Sequence, residues 1–84
     1  MHDYKGTIKL EYYNRRIEIP YSMTNLGGNP HIYFRDRYGR HHSFFYRENT
    51  KEWVYNFNKG PFWRQDFLDV LYVAMDLERE LHGL

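Results

Sequence analysis

The chain has 84 residues, of which 42% are apolar and 20% aromatic, and it contains no cysteine. A chain of this length fits one domain, because smaller pieces would bury too little surface to fold by themselves. The absence of cysteine excludes a disulfide framework, a thiolate nucleophile and cysteine-ligated zinc. Each large aromatic side chain can bury about 150 to 250 Å², so the composition predicts a single folded domain over residues 1–84.

The net charge is only +1, but the charges are unevenly distributed along the chain. Residues 1–59 carry ten Lys or Arg and six Asp or Glu, a net of +4, whereas residues 60–84 carry two and five, a net of −3. This balance lacks the strong basic excess of dedicated nucleic-acid-binding domains. We therefore expect a bipolar molecule whose affinity for polyanions is local.

Residues 1–6 contain no apolar core like that of a signal peptide, and the longest apolar stretch, residues 67–75, is interrupted by Asp69. We therefore expect a cytoplasmic protein that does not interact with membranes.

Two segments in which apolar and polar residues alternate predict the first hairpin, with strands at about residues 6–13 and 16–21 and a tight turn at Asn14 and Arg15. Pairing Tyr13 with Arg16 places Glu11 opposite Glu18 and gives one apolar face. That predicted core face consists of Ile8, Leu10, Tyr12, Ile17, Ile19 and Tyr21.

Residues 22–30 contain the turn-forming run Gly27-Gly28-Asn29-Pro30 and show no periodicity. They predict a loop. The sequence does not indicate a role for its Gly27-Gly28 pair. A second hairpin follows, with strands at about residues 31–36 and 40–47.

The turn of this second hairpin is predicted to be a type I turn from Asp36, with Gly39 in the left-handed bulge position, so that Asp36 faces Arg40. The resulting ladder places four side chains on the core face, namely Ile32, Phe34, Phe44 and Tyr46. The opposite face receives Tyr33, Arg35, His41, Ser43, Phe45 and Arg47.

A fifth strand is predicted at about residues 52–57, with Trp53, Tyr55 and Phe57 on its core side. A helix is predicted at about residues 61–82, because proline is favourable in the first helical turn and Gly83 ends the pattern. The predicted core stripe of this helix is Trp63, Phe67, Val70, Leu71, Ala74 and Leu81. Its predicted solvent face is Gln65, Asp69, Tyr72, Asp76, Arg79 and Glu80.

These elements predict an α+β fold: an antiparallel β-meander of about five strands, packed on one face by a single C-terminal α-helix. A helix of about twenty residues is roughly 30 Å long, enough to cover one face of a small sheet. The other face of the sheet is expected to stay exposed.

We find no residue pattern that predicts catalysis or a cofactor. Ser43 is expected beside Arg and Tyr rather than beside a base, and the Glu11–Glu18 pair is expected to be solvated and ionised. The sequence also predicts no metal site. His31 and His41 share a face about four residues apart along the ladder, roughly 13 Å, and His41 and His42 are expected to be surface residues on opposite faces.

Two candidate binding surfaces remain. The first is a cationic, aromatic patch on the exposed sheet face, where guanidinium groups and rings could meet phosphates and bases. Its members are Tyr33, Arg35, Arg37, His41, Phe45 and Arg47. The second is a helix-flank interface, where apolar residues extend beyond one stripe. Its members are Leu68, Tyr72 and Met75.

Tyr, Trp and Arg are enriched in interface hot spots, and the chain is rich in all three. The sequence therefore favours a non-enzymatic binding module that recognises another protein or a second copy of itself, through the sheet face or the helix flank. The alternative is binding of DNA or RNA through the second hairpin. No small-molecule cofactor is indicated.

Overall fold

The computed structural model describes residues 3–57 and 63–84, apart from the side chain of Leu26. Within these residues lie one helix and five strands that form one antiparallel sheet in the order β1-β2-β3-β4-β5. The elements are β1 (Tyr4–Tyr12), β2 (Arg15–Leu26), β3 (Asn29–Arg35), β4 (His41–Arg47), β5 (Glu52–Tyr55) and α1 (Gln65–Leu81). The helix packs on one face of the sheet, which confirms the predicted α+β meander.

The first hairpin turns one residue earlier than predicted. Tyr12 pairs with Arg15, and the turn residues Tyr13 and Asn14 both have positive φ, 49° and 61°, as a two-residue hairpin turn requires. The predicted Glu11–Glu18 pair is wrong, because Glu11 lies opposite Arg16 and Glu18 opposite Lys9. The error preserves which face each side chain occupies, so the predicted core face is confirmed.

The predicted loop over residues 22–30 is wrong. Strand β2 continues to Leu26, β3 begins at Asn29, and only Gly27 and Gly28 form the turn. Both glycines have positive φ, 60° and 84°, so together they provide the backbone of a tight hairpin at no steric cost. Pro30 is fully buried in β3, opposite Asn25.

The second predicted hairpin is confirmed in turn and register. The Asp36 N–H donates to the Arg40 carbonyl at 2.9 Å, the Gly39 N–H donates to the Asp36 carbonyl at 3.0 Å, and Gly39 has φ 80°. Phe34 pairs with His42 and Ile32 with Phe44. His42, predicted at the surface, is buried. It lies on the same sheet face as Phe34 and Phe44, where the Trp63 ring packs against it.

The core lies between the sheet and α1. Its most deeply buried large side chains are Phe44, Ile8, Met23, Ile32, Leu71 and Met75. The prediction for Phe57 is wrong: β5 ends at Tyr55, and Phe57 is half exposed, with its ring edge-on to that of Tyr55.

The helix is rotated about its axis relative to the prediction. Its buried residues are Leu68, Leu71, Ala74 and Met75, whereas Leu81 is 75% exposed. The predicted start at Pro61 lies outside the described residues. Gln65 is the first helical residue, and Trp63 precedes the helix with its ring stacked on Phe34.

The hydroxyl and indole groups of the core aromatic residues explain why α1 is rotated relative to the prediction. The Tyr12 hydroxyl donates to Asp66 at 2.9 Å, the Trp53 indole N–H donates to Asp76 at 2.9 Å, and the Tyr21 hydroxyl donates to Glu78 at 2.8 Å. Burial, followed by the hydrogen bond to Glu78, raises the pKa of Tyr21 far above its ordinary value.

Turning three carboxylates toward the sheet provides acceptors for these buried and partly buried donors. The same rotation brings two residues of the predicted solvent face against the core. Tyr72 is half-buried against Phe44, and the guanidinium of Arg79 lies 4.1 Å from the centroid of the Tyr46 ring.

Within residues 3–57 and 63–84, no helix combines the length and the apolar composition that crossing a membrane demands.

Candidate binding surfaces

The face of the sheet opposite α1, here called the open face, brings together five of the six predicted patch residues. Strands β3 and β4 position them, because alternate residues of a strand point to the same side. Arg35 lies opposite His41. Tyr33 is two positions from Arg35 on β3, and Phe45 and Arg47 are four and six positions from His41 on β4. The five are Tyr33, Arg35, His41, Phe45 and Arg47.

Arg37 does not join this patch. It lies in the β3–β4 turn, where its guanidinium carbon is 5.0 Å from the centroid of the Tyr38 ring and its Nη2 donates to the Tyr38 hydroxyl at 2.9 Å. Its position therefore belongs to the tip of the hairpin rather than to the open face.

The open face contains a row of rings that includes one residue absent from the predicted patch. His31 pairs with Phe45, and their ring centroids are 5.7 Å apart. The His31 ring also stacks on Tyr33, with centroids 6.4 Å apart and planes at 16°. We call His31, Tyr33 and Phe45 the ring row. His31 could have been added from the sequence, since it shares the face of Tyr33 and faces Phe45 in the predicted register.

Arg47 lies beside one ring of the ring row. The guanidinium carbon of Arg47 is 5.9 Å from the Phe45 centroid, and its ion pair with Glu52, 3.8 Å long, is exposed. Exposed ion pairs of this kind contribute little to stability, so Arg47 can exchange this partner for another anion. The open face can therefore combine stacking with anion pairing.

The residues of the predicted helix-flank interface are not at a free surface. Leu68 and Met75 are buried in the core, and Tyr72 is half-buried against Phe44. This correction follows from the rotation of α1. The exposed apolar residues of the helix are instead Val73, Leu77 and Leu81, at 63%, 57% and 75% exposure. Their spacing of four residues is the sequence signal for this ridge.

Pro20 ends the pairing of β2 with β3. In the observed register the even-numbered residues of β2 point their N–H groups toward β3, and the last pair is Tyr21 with Phe34. The next hydrogen-bonded pair would join residue 20 to Arg35, but proline has no N–H to donate. Residues 15–20 of β2 consequently pair with β1 alone, and the two hairpins separate beyond this point.

The separation creates a cleft of about 670 Å³, here called the hairpin cleft, on the side of the sheet that Trp63 covers. The aromatic and aliphatic part of its lining is Tyr12, Ile17, Ile19, Phe34, Tyr38, Trp63 and Phe67. The cationic part is Arg15, Arg16, Arg35, Arg37 and Arg64.

The charges of the hairpin cleft are largely uncompensated. Arg64 forms an ion pair with Asp66 at 3.2 Å. For the other four arginines, no carboxylate of the described residues lies within ion-pair distance. The cleft therefore combines an aromatic and aliphatic wall with a surplus of guanidinium groups.

Asp36, the acidic residue of the cleft lining, is already engaged. His42 Nε2 lies 2.9 Å from its Oδ2, and His42 Nδ1 lies 2.8 Å from the Tyr55 hydroxyl. The hydrogen bond to His42 is the main cause that lowers the pKa of Asp36. The carboxylate also accepts the Tyr38 and Arg40 backbone N–H groups, at 2.8 and 3.0 Å. Asp36 thus closes the turn and does not neutralise the arginines.

The structure also places the residues that the sequence offered for catalysis or metal binding. The Ser43 hydroxyl is buried and accepts a hydrogen bond from the Asn56 amide at 2.8 Å. His31 and His41 are four positions apart along the ladder, as predicted. Among the described residues, no three His, Asp or Glu side chains group as metal ligands.

Comparison with protein-family models, with curated proteins and with solved structures finds no match to this chain.

Proposed function

We propose that this chain is a non-enzymatic binding module that recognises another protein, and that the hairpin cleft receives the partner. The observation that carries the proposal is the composition of the cleft. Trp63 and Phe34 stack at 14° beside four arginines that pair with no carboxylate of the described residues. Its volume of about 670 Å³ lies within the usual range of ligand-binding pockets, about 300 to 1,000 Å³.

The chemistry of the cleft defines the partner segment. An aromatic or aliphatic side chain gains by leaving water for the wall formed by Phe34, Trp63 and Phe67. Carboxylates on either side of it would pair with Arg15 and Arg37, because guanidinium groups bind carboxylates through two parallel hydrogen bonds. The proposed ligand is therefore a peptide segment with one large apolar side chain between acidic residues.

A peptide-display selection followed by titration tests this proposal. The probe is a library of short peptides with a central Tyr, Phe or Trp, and its acidic members are compared with members in which Lys replaces Asp and Glu. We expect selection of acidic members and at least about tenfold weaker binding after Arg15→Glu or Arg37→Glu, in line with the value of charge-assisted pairs. Arg40→Glu is the matched control, since Arg40 belongs to the same turn but does not line the cleft. Equal loss with Arg40→Glu, or selection of basic peptides, would refute the assignment.

A second candidate, binding of single-stranded nucleic acid, is supported by the ring row. Bases stack on exposed aromatic rings of a sheet while arginines pair with the phosphates. Here His31 and Tyr33 are stacked, and Arg35 and Arg47 lie on the same face.

Titration of short DNA and RNA strands at two salt concentrations tests this candidate. Binding through the open face should weaken steeply with salt, and it should be lost in the Arg35→Glu/Arg47→Glu double variant. In the otherwise unmodified chain, Phe45→Ala should also weaken nucleic-acid binding. Tyr38→Ala, which removes a ring outside the open face, should leave binding unchanged. Salt-independent binding, or equal effects of the two ring substitutions, would exclude the candidate.

A further inference from the structure

Strand β1 lies at one edge of the sheet, and no described strand pairs with its outer side. In the hairpin with β2, Tyr12 and Arg15 close the turn, so the even-numbered residues of β1 direct their backbone groups toward β2. The N–H and C=O groups of Lys5, Thr7 and Lys9, together with those of Glu11, therefore point outward. Within the described chain, no other backbone group hydrogen-bonds to these four residues.

This edge lacks most features that normally prevent strand pairing. Edge strands are commonly short, bulged, interrupted by proline, covered by another element or protected by charged side chains. Of these features β1 has the charged side chains, at Lys5, Lys9 and Glu11. Strand β1 has nine residues, contains no proline, and pairs with β2 through nine consecutive residue pairs without a bulge. At the opposite edge of the sheet, β5 has only four residues.

The side chains of β1 are complementary to those of a second β1 related by a two-fold axis. Full antiparallel overlap of Tyr4–Tyr12 places Ile8 on the axis and Lys5 of each copy opposite Glu11 of the other. Thr7 then lies opposite Lys9. Sliding the strands by two residues in one direction puts Lys5 opposite Lys9 of the other copy, and sliding them in the other direction puts Lys9 opposite Lys9. Repulsion between the ammonium groups makes both registers less stable. Charge complementarity thus selects the register that also pairs the whole strand.

An apolar groove follows the same edge. It has a volume of about 450 Å³, and its apolar lining is Leu10 of β1 with Val70, Val73, Ala74 and Leu77 of α1. No residue of β2 lines it, so the groove opens on the side of the unpaired edge. A strand added to β1 would cover apolar surface that is otherwise wet, in addition to completing backbone hydrogen bonds.

We propose that β1 pairs antiparallel with β1 of a second copy of this chain, with Ile8 on the two-fold axis, to form a dimer with one continuous ten-stranded sheet. This isologous contact uses the same residues twice. Apart from Tyr12 at the end of β1, it uses none of the residues that line the hairpin cleft or form the ring row, so the dimer and the proposed peptide recognition can fail separately.

The test is a pair of charge reversals measured alone and mixed, with the dimer dissociation constant determined by sedimentation. Lys5→Glu alone places two carboxylates against each other at both ends of the contact, and Glu11→Lys alone does the same with two ammonium groups. We expect each variant alone to dimerise about tenfold more weakly than the unmodified chain. An equimolar mixture should form a heterodimer of at least the original affinity, because both pairs are attractive again.

Mixing leaves the fold of each variant unchanged, so rescue cannot arise from effects within one chain. The matched control mixes Lys9→Glu with Glu11→Lys, which have the same net charges but restore only one of the two attractive pairs. This control mixture should remain weaker than the first mixture.

A backbone test complements the charge test. Thr7→Pro removes an outward N–H without removing a donor from the β1–β2 ladder, so it should weaken the dimer while the variant remains folded by circular dichroism. A monomer at all concentrations, unchanged affinity in the Lys5→Glu variant, or equal rescue by both mixtures would each overturn the proposal.

Discussion

Gly6 is a position where adding one methyl group should destabilise the protein. Gly6 pairs directly with Tyr21, and a Cβ at Gly6 would lie 2.7 Å from the Tyr21 hydroxyl oxygen and 3.0 Å from Cε1 and from Cζ. An aromatic ring folded over a glycine on the neighbouring strand is a known way to stabilise a glycine in an edge strand. Gly6→Ala therefore requires the Tyr21 ring to move.

The ring cannot move freely, because its hydroxyl donates to Glu78 at 2.8 Å and lies 2.8 Å from His82 Nε2. Overpacking of this kind costs ~1–3 kcal/mol. Replacing glycine in a strand interior returns ~0.5–1 kcal/mol of backbone entropy. We expect a net loss of ~1–2 kcal/mol, which lowers the midpoint of thermal unfolding by roughly 5–15 °C for a domain of this size.

Chemical denaturation of four proteins measures this effect: the unmodified chain, Gly6→Ala, Tyr21→Phe and the double variant. Removing the hydroxyl abolishes the 2.7 Å contact and releases the ring from Glu78. The free-energy cost of Gly6→Ala should therefore be smaller in the Tyr21→Phe background, a coupling that a double-mutant cycle reports directly. A neutral or stabilising Gly6→Ala, or equal costs in both backgrounds, would refute this account of the contact.

Three further predictions concern the rotated helix, the turn and the cleft. Met75→Ala should cost ~2–5 kcal/mol in the free energy of unfolding because Met75 is fully buried, whereas Leu81→Ala should change it by less than ~0.5 kcal/mol; equal costs would contradict the observed rotation of α1. The pKa of the Asp36 carboxyl is lowered chiefly by its hydrogen bond to His42, so this contribution to stability is present above the unfolded value of about 4 and is lost as the pH falls through the lower folded value. Asp36→Asn should therefore lower the free energy of unfolding at neutral pH and make it depend less on pH in acid. If the unmodified chain and the variant lose stability in parallel below about pH 4, the prediction is wrong. Pro20→Thr supplies the missing N–H, so that amide should become protected from hydrogen exchange as the ladder extends to Arg35; fast exchange there would show that Pro20 does not cause the separation of the hairpins.

The turns show which parts of the fold local chemistry can predict. Asp36 and Gly39 satisfy a specific turn geometry, and the predicted register of β3 and β4 is confirmed at every pair. Tyr13 gives no such signal, since a tyrosine rarely adopts the positive φ of 49° that it has here. The resulting error moved the pairing by an even number of residues, so the side chains of residues 7–12 and 16–21 stayed on their predicted faces.

The candidate sites divide in the same way. The open-face residues follow from alternation along β3 and β4, because period two is a property of the strand itself. The hairpin cleft depends on three separate parts of the chain: Pro20 in the β1–β2 hairpin, the end of β3 near Arg35, and Trp63 between β5 and α1. No local pattern relates these three positions, since they are joined only when β2 and β3 pair.

By itself, the amino-acid sequence determined the five alternating strands, the C-terminal helix, and the division of the sheet into an apolar and a polar face, because these follow from side-chain periodicity within each element. Only the tertiary structure decided which stripe of the helix is buried. The hydroxyl and indole groups of Tyr12, Tyr21 and Trp53 need acceptors when they leave water, and Asp66, Asp76 and Glu78 provide them. That requirement links residues more than twenty positions apart, so it acts only after the sheet and the helix have come together.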